Sequence, residues 1–207
     1  MHFMSESAPG LRAQKRNETR RRLVDAARTL TTERGLAGFT IEEACEKAGV
    51  SRRTFFNHFA QKEDAVLGIP LPREDDDAST HFLEADGDLA DDLATYFAER
   101  FGALDVSKRE ARIIGSLVEN EPKLRSRAFA LMRTTDSLTI SLVERRAGLP
   151  EGDPRAPVLV HLVGALNRVA VESLLDESEG TPTLDQFRTA LRERLGYARE
   201  ILSEGQK

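Results

Sequence analysis

Apolar residues recur at spacings of three and four along almost the whole chain, and stretches of strict alternation are few. That periodicity predicts an all-α protein. A first helix is expected from about Arg12 to Arg34, with Leu23, Ala26, Ala27 and Leu30 on one face and a left-handed stop at Gly35. Thr40-Ile-Glu-Glu43 has the form of a capping box, in which the threonine accepts an orphan amide while the glutamate reaches back. The short helix it opens carries Ile41, Ala44, Cys45 and Ala48 on one face and ends at Gly49. Ser51 caps the next helix, which turns Phe55 and Phe59 inward with Phe56 beside them. A fourth helix starts near Gln61 and stops before Pro70.

Residues 68–77 hold two prolines and an acidic run, so they read as a linker or exposed connection, with an acidic binding motif as the alternative. Further helices are expected near Asp88–Ala103, Ser107–Val118, Pro122–Ala147, Pro154–Leu175 and Thr183–Ser203. Ser107 and Glu110 form a second capping box, and Asp153-Pro154 reads as a cap followed by proline at the first helical position. The expected architecture is an amino-terminal three-helix helix-turn-helix domain with a basic arm, 1–68, followed by a larger helical domain, 69–207.

Composition narrows the class. The chain has 207 residues, 40% hydrophobic and 31% charged, enough to bury a core in one or two domains. A single cysteine, Cys45, excludes an internal disulfide framework and zinc-finger spacing, and fits a reducing compartment. The formal net charge of −5 alone argues against nucleic acid, but it averages two unlike parts. Residues 1–68 carry 12 Lys/Arg against 9 Asp/Glu, while 69–207 carry 18 against 26, so different partners are expected for each. The first twelve residues lack a secretory pattern, and the apolar stretch Val158–Leu175 is interrupted by His161, Asn167, Arg168, Glu172 and Ser173. The expected location is the cytoplasm, with no membrane partner.

Residues Thr40 to Phe59 carry the chemistry. Two short helices must cross closely, so the facing residue is small (Cys45), and the turn between them needs positive φ (Gly49). Arg52, Arg53, Thr54, Asn57 and His58 remain on the outer face of the second helix. Arginine suits guanine and asparagine suits adenine in the major groove, although an inert charged surface helix has the same composition.

The run from Thr40 to Asp64 resembles the signature of TetR-family (tetracycline-repressor-like) regulators. Thr19, Leu23, Ala26-Ala27, Leu30, Gly35 and Phe39 match the family's preceding helix, so the resemblance covers Lys15 to Asp64. It implies that Thr40 touches phosphate, that Arg52, Arg53, Thr54 and Asn57 face the groove, and that His58 and Lys62 grip the backbone. Arg12, Lys15 and Arg16 are further candidates for phosphate or minor groove. Three positions depart from the family pattern: Phe56 in place of tyrosine, Arg53 where many members have glycine, and Cys45 in place of alanine. Cys45 reads as a small buried residue, with a redox sensor as the alternative.

The resemblance implies a transcriptional regulator acting as a repressor, a homodimer on a palindromic operator in double-stranded DNA, released by a small and largely apolar effector. Leu159, Leu162, Val163, Leu166 and Val169, with Phe187, Leu191 and Leu195, are the candidates for a four-helix dimer interface. A purely internal core is the alternative. Tyr96, Phe97, Phe101, Ile113, Leu117, Phe129 and Met132 are candidates for the effector pocket, with plain core packing as the alternative for each. No catalytic motif is present, and the lone His81 and His161 lack ligand spacing, so no enzyme, cofactor or metal is expected. The competing functional class is a helix-turn-helix architectural or adaptor protein without effector control.

Overall fold

The computed structural model describes residues 8–69, 74–177 and 180–204, with side chains described from 14 to 203. The side chain of Arg12 and part of the expected linker, 70–73, lie outside what is described. Among those described, ten α-helices and one short 3-10 turn account for the secondary structure. The chain divides into two compact units, Met1–Leu71 with Val118–Ala128, and Pro72–Leu117 with Phe129–Lys207.

The first unit is built on α1 (Ala8–Arg34), which buries Leu23, Val24, Ala26, Ala27 and Leu30. Gly35 has φ 74° but ψ 164°, so it is not the left-handed helical stop expected. It leads instead into a 3-10 turn, Leu36–Gly38, that buries Leu36. α2 (Ile41–Ala48), α3 (Arg52–Phe56) and α4 (Lys62–Leu67) follow. Two charged residues of α1 are buried because they finish α4. Arg20 donates to the Gly68 carbonyl at 3.1 Å, and Arg28 donates to Val66 and Leu67 at 3.0 and 3.3 Å. The last carbonyls of a helix have no partner within it, and cations there also meet a favourable dipole.

Residues 118–128 complete this unit. Leu124 is fully buried, and a Glu121 carboxylate oxygen accepts from the Leu36 amide at 3.4 Å. Asp64, 0% exposed on α4, receives a two-pronged bond from Arg127, Nε at 2.5 Å and Nη2 at 2.9 Å. That hydrogen bond raises the Arg127 pKa above its ordinary value.

The second unit contains α5 (Asp77–Glu84), α6 (Leu89–Gly102), most of α7 (Lys108–Asn120) and α8 (Pro122–Ala147), then α9 (Arg155–Glu177) and α10 (Leu184–Glu204). Its core joins Phe82, Leu93, Tyr96, Leu142, Val160 and Leu191 among others. α5 was not expected. Its start lies in the acidic run, where Asp76 accepts from the Ser79 amide at 2.8 Å. The other starts follow local sequence: Ser107 and Glu110 form their capping box, Asp153 accepts from the Arg155 amide, and Thr183 pairs reciprocally with Gln186. α9 is long and apolar enough to cross a membrane, with a mean hydropathy of 1.5. Its Ala156, Val160, Val163 and Ala170 are nonetheless buried in this unit's own core.

Arg127→Met leaves the Asp64 carboxylate buried without its cation. It is expected to cost about 3–5 kcal/mol in urea unfolding, and Asp64→Leu/Arg127→Met to restore most of that loss.

Candidate nucleic-acid interface

The capping box forms as expected. Thr40 Oγ1 accepts from the Glu43 amide at 3.2 Å, and Glu43 Oε2 accepts from the Thr40 amide at 2.8 Å. The Thr40 backbone bond, followed by Arg34 and the Thr40 hydroxyl, holds the Glu43 carboxyl below its ordinary pKa. Gly49 closes α2 at φ 65° and ψ 39°, a left-handed conformation that costs a side-chain-bearing residue energy. Ser51 accepts from the Thr54 amide at 3.1 Å and starts α3. Behind α3, Phe55 and Phe59 are 0% exposed, with ring centroids 5.9 Å apart. Ala44, Cys45 and Ala48 are buried on α2, and burial pushes the Cys45 thiol pKa up, away from a reactive thiolate.

On the outer side, Arg52, Arg53 and Asn57 are exposed. An Arg52 nitrogen lies 2.9 Å from the Glu42 carboxylate on α2, and its guanidinium carbon lies 5.5 Å from the centroid of the Phe56 ring. Phe56 is itself 45% exposed. Thr54 is half-buried, its hydroxyl 2.8 Å from that of Ser51. His58 is half-buried, and burial, then Arg16 and Arg20, lower its pKa, so near neutral pH it is an uncharged hydrogen-bonding group. Lys62 opens α4 but turns its ammonium onto the Phe39 carbonyl at 2.7 Å and over the Phe39 ring. Lys15 and Arg16 are exposed on α1.

Residues 23–67 match the model of bacterial regulatory proteins, tetR family. This amino-terminal part of the chain is thus similar to the regulators of that family. The HTH-type transcriptional regulator TcmR of Streptomyces glaucescens is 41% identical over 61 residues, which are 30% of this chain, so the similarity spans about a quarter (27%) of that protein's length. Two solved structures are similar over more of the length. One, assigned to the TetR family, is from Mesorhizobium loti MAFF303099, with 19% identity, TM-score 0.47, and coverage of 90% of this chain and 98% of that one. The other is Salmonella enterica GusR, with 19% identity, TM-score 0.41, and coverage of 93% and 100%. Both scores are too low to carry an argument, so the likeness to the tetR family lies in the amino-terminal residues alone.

In the second unit, Tyr96 is 1% exposed, its hydroxyl 3.4 Å from that of Thr139, and its ring meets Phe82 and Phe97. Phe101 stacks edge-on against Phe187 at 4.8 Å. Ile113 and Leu117 are half-buried on α7, whereas Phe129 and Met132 are 61% and 52% exposed on α8. A hollow of about 410 Å³ forms a groove between α9 and α10 and is lined by none of these seven but by residues including Leu174, Glu177, Gln186 and Glu193. His81 pairs with Glu99 at 3.1 Å rather than with its neighbour Glu84.

Of the dimer candidates, Val163, Phe187, Leu191 and Leu195 close the core of their own unit, because those faces of α9 and α10 meet each other and α6. Leu159 and Leu166 are half-buried, also packed on that core. Leu162 and Val169 are 40% and 54% exposed, in line with Val158 on the same face of α9. Tyr197, Ile201 and Leu202 of α10 are exposed as well.

Thr40→Ala is expected to lower stability by about 1 kcal/mol in thermal unfolding. Glu43→Ala tests the other half of the box by pH. Because the folded pKa is lowered, the ionised Glu43 stabilises the fold above its unfolded pKa, and that contribution is lost as pH falls through the folded value. The deficit of Glu43→Ala is therefore expected at neutral pH and should close in acid.

Proposed function

We propose that this chain is a transcriptional repressor that binds a palindromic DNA operator as a homodimer and is released by a small-molecule effector. The observation that carries the reading is the exposed donor face of α3, with Arg52, Arg53 and Asn57 outward and Phe55 locked inward, in a domain of the TetR family. Such a helix enters the major groove, where arginine and asparagine discriminate bases while surrounding groups bind phosphate. The expected location is the cytoplasm, where the DNA is.

The homodimer is supported by the outward stripe of α9, Val158, Leu162 and Val169, together with Tyr197, Ile201 and Leu202 of α10. Apolar side chains contiguous on a surface favour a partner of the same kind. Two-fold symmetry then supplies two reading helices for half-sites about 34 Å apart. An effector would release the operator only by its differential affinity for two conformations of the protein.

One observation favours the second reading, an architectural protein without effector control: among the effector-pocket candidates, Tyr96 is shut in the core and Phe129 and Met132 are out on the surface. Competition with unrelated DNA at fixed salt, repeated with candidate small molecules, separates the two. A regulator retains a preferred sequence and loses it with one of the ligands.

Arg52→Ala and Asn57→Ala are each expected to lower operator affinity about tenfold or more in a gel shift, with unfolding unchanged. Unaltered binding by both would remove α3 from its role. Val169→Glu, which touches no core, is expected to give a monomer in light scattering and to weaken the operator complex; a dimer of undiminished affinity would place the interface elsewhere.

A further inference from the structure

We infer that Glu42 is a specificity-determining residue that acts through Arg52, setting its guanidinium to read a guanine edge and withholding it from phosphate. The inference rests on the DNA-binding reading above. Three groups from two helices meet on the outward face: the Glu42 carboxylate 2.9 Å from an Arg52 nitrogen, and the Phe56 ring 5.5 Å from the guanidinium carbon. All three are exposed, the Arg52 and Glu42 side chains 66% and 57% and Phe56 45%, so the cluster stands at the surface that would meet a duplex.

A guanidinium carries five donors in one plane. Glu42 takes one nitrogen and Phe56 supports the face, which leaves the rest of the donor fork for a second acceptor pair. A long arginine held on two sides also loses less rotamer freedom when it binds than one that is unrestrained. The two possible acceptors on DNA respond differently to the nearby carboxylate. Phosphate is an anion, and the paired Glu42 offsets the Arg52 charge that would attract it. Guanine offers two neutral acceptors, O6 and N7, matched to the fork. The carboxylate therefore penalises sequence-independent binding more than it penalises the correct base. Glu42 is a positioning residue; the contact to the base is made by Arg52.

Full-length wild type, Glu42→Gln, Arg52→Ala and the double variant Glu42→Gln/Arg52→Ala test this. Each is titrated over a range of salt with poly(dA-dT), which lacks the guanine O6/N7 pair, and with the duplex that wild type recovers from a randomised DNA pool. Glu42→Gln is expected to bind poly(dA-dT) more tightly, with the log–log salt slope steeper by about 0.9. Its preference for the selected duplex over poly(dA-dT) is expected to fall about tenfold. Both effects should vanish in the Arg52→Ala background, which a merely structural role for Glu42 would not produce. An unchanged slope and preference in Glu42→Gln, or the same changes without Arg52, overturns the inference and leaves DNA reading intact. A wild-type chain that binds duplex without selecting any sequence overturns the inference and favours the architectural reading. A wild-type chain that holds no duplex at low salt overturns both.

Discussion

Helix α3 is five residues long, and a helix of that length has no stability of its own in water because nucleation outweighs its few hydrogen bonds. Its position is therefore imposed by contacts beneath it. Phe55 and Phe59 anchor it from below, Ser51 satisfies its first amides, and the left-handed Gly49 sets the angle at which it leaves α2. The small side chains of Ala44, Cys45 and Ala48 on α2 keep that crossing close, since a larger residue in a packed contact forces its neighbours apart. Arg52, Arg53 and Asn57 point outward as a consequence of this packing. The proposed reading surface is thus specified by the buried side of the domain.

The same packing explains where the basic surplus of the first unit goes. Arg20 and Arg28 are consumed in finishing α4, Arg127 in compensating a carboxylate removed from water, and Lys62 in tying α4 to the Phe39 carbonyl. Desolvated charges persist only with such partners. Arg52 is balanced by Glu42 even at the surface. A count of basic residues therefore overstates the charge available to phosphate, and what remains is defined by position, with Arg53, Lys15 and Arg16 on exposed sites.

What was legible in the sequence was local. Thr40 with Glu43, Ser107 with Glu110, and Ser51 and Asp153 all lie within three residues of the amides they satisfy, so spacing alone revealed them. The Asp64–Arg127 pair spans 63 residues and the Arg20–Gly68 bond 48, and no periodicity encodes such distances. α5 was missed for a different reason. Prolines and a run of aspartates signal a break, yet the end of that run is also what a helix start requires, and Asp76 serves as the cap. Glu42 was passed over because its partner lies across a turn, where only the crossing of two helices brings them together.

The two closing helices show how far periodicity reaches. α9 is apolar around most of its circumference, which identifies a helix with two buried or buriable sides but not which side faces inward. Its own unit resolves the ambiguity: Val160, Val163 and Ala170 meet the core, and Val158, Leu162 and Val169 are left outside. On α10 the same choice puts Phe187, Leu191 and Leu195 inside and leaves Tyr197, Ile201 and Leu202 to solvent. Each inward set already has its neighbours, so it cannot supply energy to an association. The outward sets retain the full benefit of leaving water, which scales with the apolar area they remove from it. Any partner of this unit that gains its stability from apolar burial must therefore use the outward residues, and the inward ones fix only how straight and how closely spaced the two helices present them.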